Sequence, residues 1–285
     1  VIADETKATL QLDSKLLNKV ITATIEYIDE GGTTESVTSK ATSAVVEPPV
    51  TSSNVDGAQV GESTAGTAPD GTAVQVVNID VVSDNREEQT GEAALANIPL
   101  VSDENDNPLL EVGLPSGTGM RVETPGGQGS NSLNGRDGLI AAIRSRTNTP
   151  DKLQDQQEMT GVGGSFLDEL PDQGANLIVR TLVPTVPAGT TTAPAQAIKI
   201  SAPPAVTGDR PVATVIDVRG LPSGTVIQLE NIQFVAIVGD VTMVGGEGSQ
   251  VVTGDGSRQI IVLGADDDVL RGGAGDDFIG SRGGD

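Results

Sequence analysis

The sequence predicts a mainly β protein that ends in a stack of short, evenly spaced strands, and three observations carry this expectation. The 285 residues include 36 glycines and 16 prolines but one tyrosine, three phenylalanines and no tryptophan. A core must therefore be built from Val, Ile, Leu, Ala and Thr in thin layers, which suits sheets. Apolar side chains alternate through Ile21, Ala23, Ile25 and Tyr27, the period of a strand with one covered face. The tail, finally, falls into rows of nine: Ala236–Val244, Gly245–Thr253, Gly254–Val262, Leu263–Arg271 and Gly272–Gly280.

Those rows keep one register. The sixth position reads Val241, Gln250, Gln259, Asp268 and Asp277, and the eighth reads Met243, Val252, Ile261, Leu270 and Ile279. Glycines at fixed places let the backbone turn sharply, and a three-residue strand then points its middle side chain into a narrow core. One such strand cannot bury itself, so the rows must stack. Gly272 to Gly280 fits glycine-glycine-x-glycine-x-aspartate-x-apolar-x at every defined position. The pattern resembles the repeats-in-toxin, or hemolysin-type calcium-binding, nonapeptide. That resemblance implies a right-handed parallel β-roll with two rows per coil and Ca2+ between stacked turns, held by backbone carbonyls and the sixth-position aspartate. Oxygen-only ligands suit a hard cation. On this sequence it points to Asp268 and Asp277 as the principal ligands, with Gly273, Gly275, Asp266 and Asp276 around them. Turns on one side recur every second row, so Asp268 should stack on Gln250 and Asp277 on Gln259. Neither partner is an acid, and the earlier coils are expected to be metal-free and held by amide or backbone bonding. The seventh positions, Thr242, Val251, Ile260, Val269 and Phe278, should point outward, and four of them are apolar. An apolar outer ladder calls for cover by the middle of the chain or by another subunit.

Charge and composition exclude several functions. A formal net charge of −23 opposes nucleic-acid binding, which needs a basic surface. The chain has no cysteine and no histidine, which removes disulfides, most zinc chemistry and every His-dependent triad. There is no Gly-Lys-Ser/Thr phosphate loop and no Gly-x-Ser-x-Gly elbow, and no spacing singles out a carboxylate pair. No enzymatic role is expected. Val1 to Leu10 has no basic segment followed by an apolar one, and no run approaches a membrane span. The family resemblance implies type I secretion; Asp285 falls within a repeat, so a longer precursor is expected.

Taken in order, Leu10 to Leu12 and Val20 to Ile28 read as strands, Asp29-Glu30-Gly31-Gly32 as a turn, and Thr34 to Val46 as further β sequence that Glu47-Pro48-Pro49 ends. Ile21 to Asp29 with Thr34 to Ser39 resembles the closing half of a bacterial immunoglobulin-like repeat. A half sandwich leaves unpaired edges, to be completed by a neighbouring subunit or an upstream part; a self-sufficient small sheet is the alternative. Residues 51 to 72, rich in Gly, Ser, Thr and Ala, read as a linker or arm. Val74 to Val82 is a strand. Leu-Pro-Ser-Gly-Thr occurs twice, at 114–118 and 221–225, each as the turn of an expected hairpin. Between them Asp137 can cap a helix carrying Leu139, Ile140 and Ile143, Thr149-Pro150-Asp151 opens a second, and Ser165 to Leu170 forms a third that Pro171 stops. Strands resume at Asn176 to Val183, Ala197 to Ile200 and Thr214 to Val218. Asp103-Glu104-Asn105-Asp106-Asn107-Pro108 is similar to the acidic calcium linker of cadherins, but the same residues make any solvated turn.

The expected organisation is thus a partial immunoglobulin-like sandwich over 1–48, a linker or extended arm over 49–73, a β-rich middle domain with a few short helices over 74–234, and the start of a parallel β-roll over 235–285. The expected role is a structural or adhesive subunit of an extracellular bacterial surface assembly, secreted or at the cell surface and stabilised by Ca2+. Homo-oligomers form through β edges and the apolar roll face, and a cell surface or glycan is a further contact class. Neither nucleic acid nor membrane insertion is expected. The alternative is a non-catalytic calcium-binding fragment of a larger type I secreted enzyme or toxin.

Overall fold

Inward–outward alternation recurs along the strands and sorts their side chains between an inner core and an outer face. The computed structural model describes residues 19–42, 52–86, 94–126, 135–170, 174–204 and 210–283. The chain divides into two compact units, Val1–Thr51 and Ser52–Asp285. Among the described residues the first unit is one antiparallel hairpin of β1 (Thr24–Ile28) and β2 (Thr34–Thr38), with Ile25 opposite Val37 and Tyr27 opposite Glu35. Its turn is held by Asp29, whose Oδ1 accepts the Thr33 N–H at 2.7 Å. One face carries Ile25, Tyr27 and Val37, and all three are exposed. The strand expected at Leu10 to Leu12 lies outside the described residues.

The second unit begins with antiparallel strands. These are β3 (Ser52–Val55), β4 (Ala58–Gly61), β5 (Thr64–Thr67), β6 (Ala73–Ile79), β7 (Leu95–Ser102), β8 (Pro108–Pro115) and β9 (Gly119–Pro125). The described residues of the expected linker therefore form strands at one end of a sheet. The signal for them is Asp56-Gly57, whose φ of 49° and 76° makes the two-residue turn that matches strand twist. Asp56 is 2% exposed; its carboxylate accepts the Asn97 N–H at 2.8 Å and pairs with Arg86 at 3.3 Å.

After β9 come the helices α1 (Gly135–Arg146) and α2 (Leu153–Glu169), the latter entered through a 3-10 turn at Pro150–Lys152. Leu139 and Ile143 are buried, and Pro150 opens the second helical segment as its position predicts. Asp137 lies in the first turn of α1 rather than before it. The segment expected as a separate third helix is the last part of α2. Gly163 inside α2 serves close packing: a Cβ there would lie 3.2 Å from Ile143 Cδ1 and 3.6 Å from Phe234 Cζ.

The chain then winds. It runs through β10 (Ile178–Thr185), β11 (Ile198–Ser201), β12 (Val212–Asp217), β13 (Val226–Glu230), β14 (Phe234–Val238), β15 (Val241–Gly245), β16 (Val251–Thr253), β17 (Gln259–Leu263), β18 (Val269–Arg271) and β19 (Phe278–Ser281). Even-numbered strands form one sheet in the order β18-β16-β14-β12-β10, continued by β9-β6-β4-β3, and odd-numbered ones form the other in the order β19-β17-β15-β13-β11, continued by β8-β7. From β10 and β11 onward each strand pairs in parallel with the one two places on. The coil shortens over its first turns and then levels off: Ile178 pairs with Val212, Ala213 with Phe234, Phe234 with Val251 and Val251 with Val269. Strand β14 spans residues 234 and 235, so neither sheet breaks where a domain boundary was expected. Both Leu-Pro-Ser-Gly-Thr turns are corners between sheets, not hairpins: β8 and β9, like β12 and β13, belong to different sheets. Each is nonetheless the same turn, with Gly117 and Gly224 at φ 80° and 85° and a Thr N–H donating to the Pro carbonyl at 3.1 and 3.2 Å. Turn chemistry fixes the bend but not whether its flanking strands pair.

Between the sheets lies a core that includes Val112, Leu114, Leu182, Ile198, Ile216, Ile227, Leu229, Met243, Val252 and Ile261. The outer face of the even-numbered sheet offers Val179, Ala213, Val215, Phe234, Ala236 and Val238 to α1 and α2. A buried charge network adds to this contact: Arg146 of α1 bonds Glu123 on β9 and reaches Asp217 on β12 at 3.2 Å, while Arg219 holds Asp217 at 2.6 Å and Arg121 holds Glu123 at 2.8 Å. Among the described residues no helix is long and apolar enough to cross a membrane.

Candidate metal centre

The stacking anticipated for the turns is present. Asp268 Oδ1 accepts the Gln250 N–H at 2.9 Å and Asp277 Oδ1 accepts the Gln259 N–H at 2.8 Å, each across 18 residues. Asp266 makes a similar bond, its Oδ2 accepting the Gly248 N–H at 2.8 Å. Each carboxylate thus reaches back to the backbone of the preceding coil on its own side.

Glycines make this approach feasible. A Cβ on Gly264 would lie 2.0 Å from the Gly246 carbonyl oxygen, and one on Gly273, at φ 88°, would lie 2.6 Å from that of Asp255 and 2.7 Å from that of Gly254. Gly275, at φ 126°, faces the Ser257 carbonyl oxygen in the same way. Carbonyls of one turn therefore lie directly against the backbone of the next.

The sixth position differs between coils. Gln250 donates its side-chain amide to the carbonyls of Glu247, at 2.9 Å, and Gly248. Gln259 donates to the Gly239 carbonyl at 3.2 Å and to Asp255 Oδ1 at 2.9 Å. In both turns a neutral NH2 group is shared between two oxygens of the turns, the amide bonding expected for the earlier coils. Asp268 and Asp277 have no such hydrogens to offer.

Asp268 fits a cation best. Its Oδ2 is buried without a hydrogen-bond partner, and burial pushes its carboxyl above the usual carboxylate range; the Gln250 N–H pulls the other way, while Asp266 and Asp267 push it up. A buried carboxylate oxygen with no donor is costly unless a cation or proton meets it. Asp277 Oδ2 lies against Gly272, where a Cβ would be 2.5 Å away. Asp276 is exposed, and among the described residues no three carboxylates converge. A calcium ion here would draw on Asp268 or Asp277 and on carbonyls of the glycine turns, which suits its preference for oxygen ligands.

Three residues outside the expected site share its chemistry. Asp255 occupies the second position of its row, where the repeat has glycine, and its Oδ1 accepts the N–H groups of Gly239 at 3.2 Å and Ser257 at 3.0 Å as well as Gln259. Lys152 Nζ lies 2.9 Å from Asp255 Oδ2 and 3.2 Å from Asp155 Oδ2. An acid in a glycine place is the one trace of this arrangement in the sequence; Lys152 and Asp155, on another element, carry no such mark.

The acidic loop at Asp103 is a self-contained turn between β7 and β8. Asp103 accepts the N–H groups of Asn105 and Asn107 and the Asn107 side-chain amide, at 2.8, 2.9 and 2.9 Å, and these bonds hold its carboxyl below the usual range. The outward seventh positions separate onto two faces, with Val251 and Val269 on the helix-side sheet and Thr242, Ile260 and Phe278 on the other. Val251 packs against the helical cluster. Val269 lines a cavity of about 830 Å³ between α2 and the sheet, with Val162, Phe166, Glu169 and Arg271.

These features define a mainly β chain with a C-terminal parallel β-solenoid of about four turns, of the β-roll kind. Comparison with protein-family models, with curated proteins and with solved structures gives no match.

Proposed function

We propose that this chain is a non-enzymatic structural or adhesive subunit of an extracellular bacterial surface assembly, such as a filament, sheath or layer, whose roll binds Ca2+ at the turns of Asp268 and Asp277. The observation that carries the calcium reading is the buried Asp268 Oδ2, which has no donor although it lies in a stack of glycine turns. Assembly through β edges and apolar faces is supported by Val269 and Phe278, 47% and 63% exposed on opposite faces of the roll, and by the exposed Ile25, Tyr27 and Val37 of the hairpin. Such apolar exposure favours association.

Sedimentation velocity and electron microscopy of the whole chain, in calcium and in chelator, test the proposal. Larger species that form in calcium and dissolve in chelator are the expected result; monomers under both conditions would sink it. The second reading, a non-catalytic calcium-binding fragment of a larger secreted enzyme or toxin, rests on the same nonapeptide rows. It predicts monomers that calcium stabilises without associating them.

A further inference from the structure

Asp255 is the most completely satisfied carboxylate in the roll. Its side chain is 0% exposed, its Oδ1 takes two backbone N–H groups and the Gln259 amide, and its Oδ2 takes Lys152 at 2.9 Å. Burial alone would raise its carboxyl, but the Lys152 ammonium and the N–H groups of Ser257 and Gly239 outweigh burial and hold it below the usual range. The donors come from three places: Gly239 on the coil before, Ser257 and Gln259 in its own turn, and Lys152 at the threshold of α2. Asp155 approaches the same corner because Gly256 has no side chain; a Cβ there would lie 3.1 Å from Asp155 Oδ1. Two carboxylates that are nearly or fully buried therefore share one ammonium. Without it they would face each other across a corner that the protein has desolvated.

We infer that Lys152 is a tethered cation for the Gly254–Gln259 turn: its ammonium, seated between Asp155 and Asp255, supplies the positive charge that this turn requires and pins the helical pair to the roll. The roll is then neutralised from within at this coil, whereas Asp268 and Asp277 each accept a backbone N–H of the turn 18 residues before. The inference rests on this corner alone and holds whether or not calcium binds at the later turns.

The test uses the full chain in chelator, so that calcium plays no part. Lys152→Met lowers the melting temperature by about 5–10 °C, as expected when one partner of a buried ion pair is removed, and speeds amide exchange in the first turn of α2. Lys152→Met combined with Asp255→Asn recovers at least half of that loss, because the asparagine keeps an oxygen for the three donors on Oδ1 and puts a neutral NH2 group in place of the Oδ2 that the ammonium had met. A Lys152→Met protein that melts with the wild type overturns the inference, as does a double variant no more stable than the single one.

Discussion

The roll contains two versions of the same coil. In the earlier one the eighth-position side chains Met243, Val252 and Ile261 are 0% exposed, and Gln250 and Gln259 turn their amides onto carbonyl and carboxylate oxygens. In the later one Ile279 is 46% exposed, and Asp268 and Asp277 take backbone N–H groups while offering none. From β15 and β16 onward the two-row register and the parallel pairing are common to both. The nine-residue period therefore sets the path of the chain, while burial and the sixth side chain decide whether a turn gains amide donors, as at Gln250 and Gln259, whose own Oε1 atoms are buried without a donor, or carries a negative charge to be met.

The largest expected effect separates the two versions by burial. Ile261→Ala should cost about 3–4 kcal/mol in urea unfolding, since it empties a site with no exposure. Ile279→Ala, at the same place in the repeat, should cost under about 1 kcal/mol, since it gives up little buried surface. Equal losses would show that the last coil is as closed as the earlier ones. Next in size is the tie between helix and sheet. Arg146→Met should cost about 3 kcal/mol, toward the low end for breaking a buried pair because Glu123 and Asp217 keep Arg121 and Arg219. Amide exchange in α1 should quicken while that of β15 and β17 stays unchanged.

Much of the roll was legible in its residues because its contacts obey the period. Stacking of Asp268 on Gln250 and of Asp277 on Gln259 follows from counting two rows, and so does the inward series from Met243 to Ile261. Where the period fails, so does the reading. The first parallel coils, from Ile178 to Val212 and from Ala213 to Phe234, have unequal lengths, so composition showed strands there but not that they continue the roll. Asp56-Gly57 is a strong hairpin signal that the Ser/Thr/Gly-rich surroundings concealed. Leu-Pro-Ser-Gly-Thr states a turn, and only topology says that it joins two sheets. The pairs Arg146–Asp217 and Lys152–Asp255, separated by 71 and 103 residues, leave no mark that periodicity or turn chemistry could detect.

A smaller effect tests the sixth side chain directly. Gln259→Asp turns an early coil into a late one: it removes the amide donors to Gly239 and Asp255 and sets a second carboxylate beside Asp255. In chelator it should cost about 2 kcal/mol, from lost hydrogen bonds and like charge, and calcium should return part of that stability. Gln250→Asp, whose donors serve only carbonyls of its own turn, should cost about 1 kcal/mol. Calcium-dependent melting of the two variants provides the measurement. Equal losses with no response to calcium would mean that the glutamines do not stand in for a cation.

The smallest effect is the reverse exchange, Asp268→Asn, and its sign depends on pH. The folded-state pKa of Asp268 is raised above the ordinary 3.8, so the fold penalises the ionised form. The stability associated with this group is intact below the ordinary value, where it is protonated in both states, and is lost as pH rises through the raised folded value. In chelator Asp268→Asn should therefore be more stable than the wild type at pH 7 and match it near pH 3. Asp217 and Asp255 behave oppositely: both are held below 3.8 despite burial, Asp217 by Arg219 and Arg146 and Asp255 by Lys152, so their contribution is present above that value and lost as pH falls through the lowered ones. Both proteins carry these two groups, so their acid loss cancels when urea midpoints of variant and wild type are subtracted at each pH. In calcium the difference at pH 7 should change sign, because the wild-type carboxylate then meets a cation that the amide cannot bind as well. A difference that stays positive in calcium would leave Asp268 a buried charge without a purpose in metal binding, and the late coil no more than an early one with its amide removed.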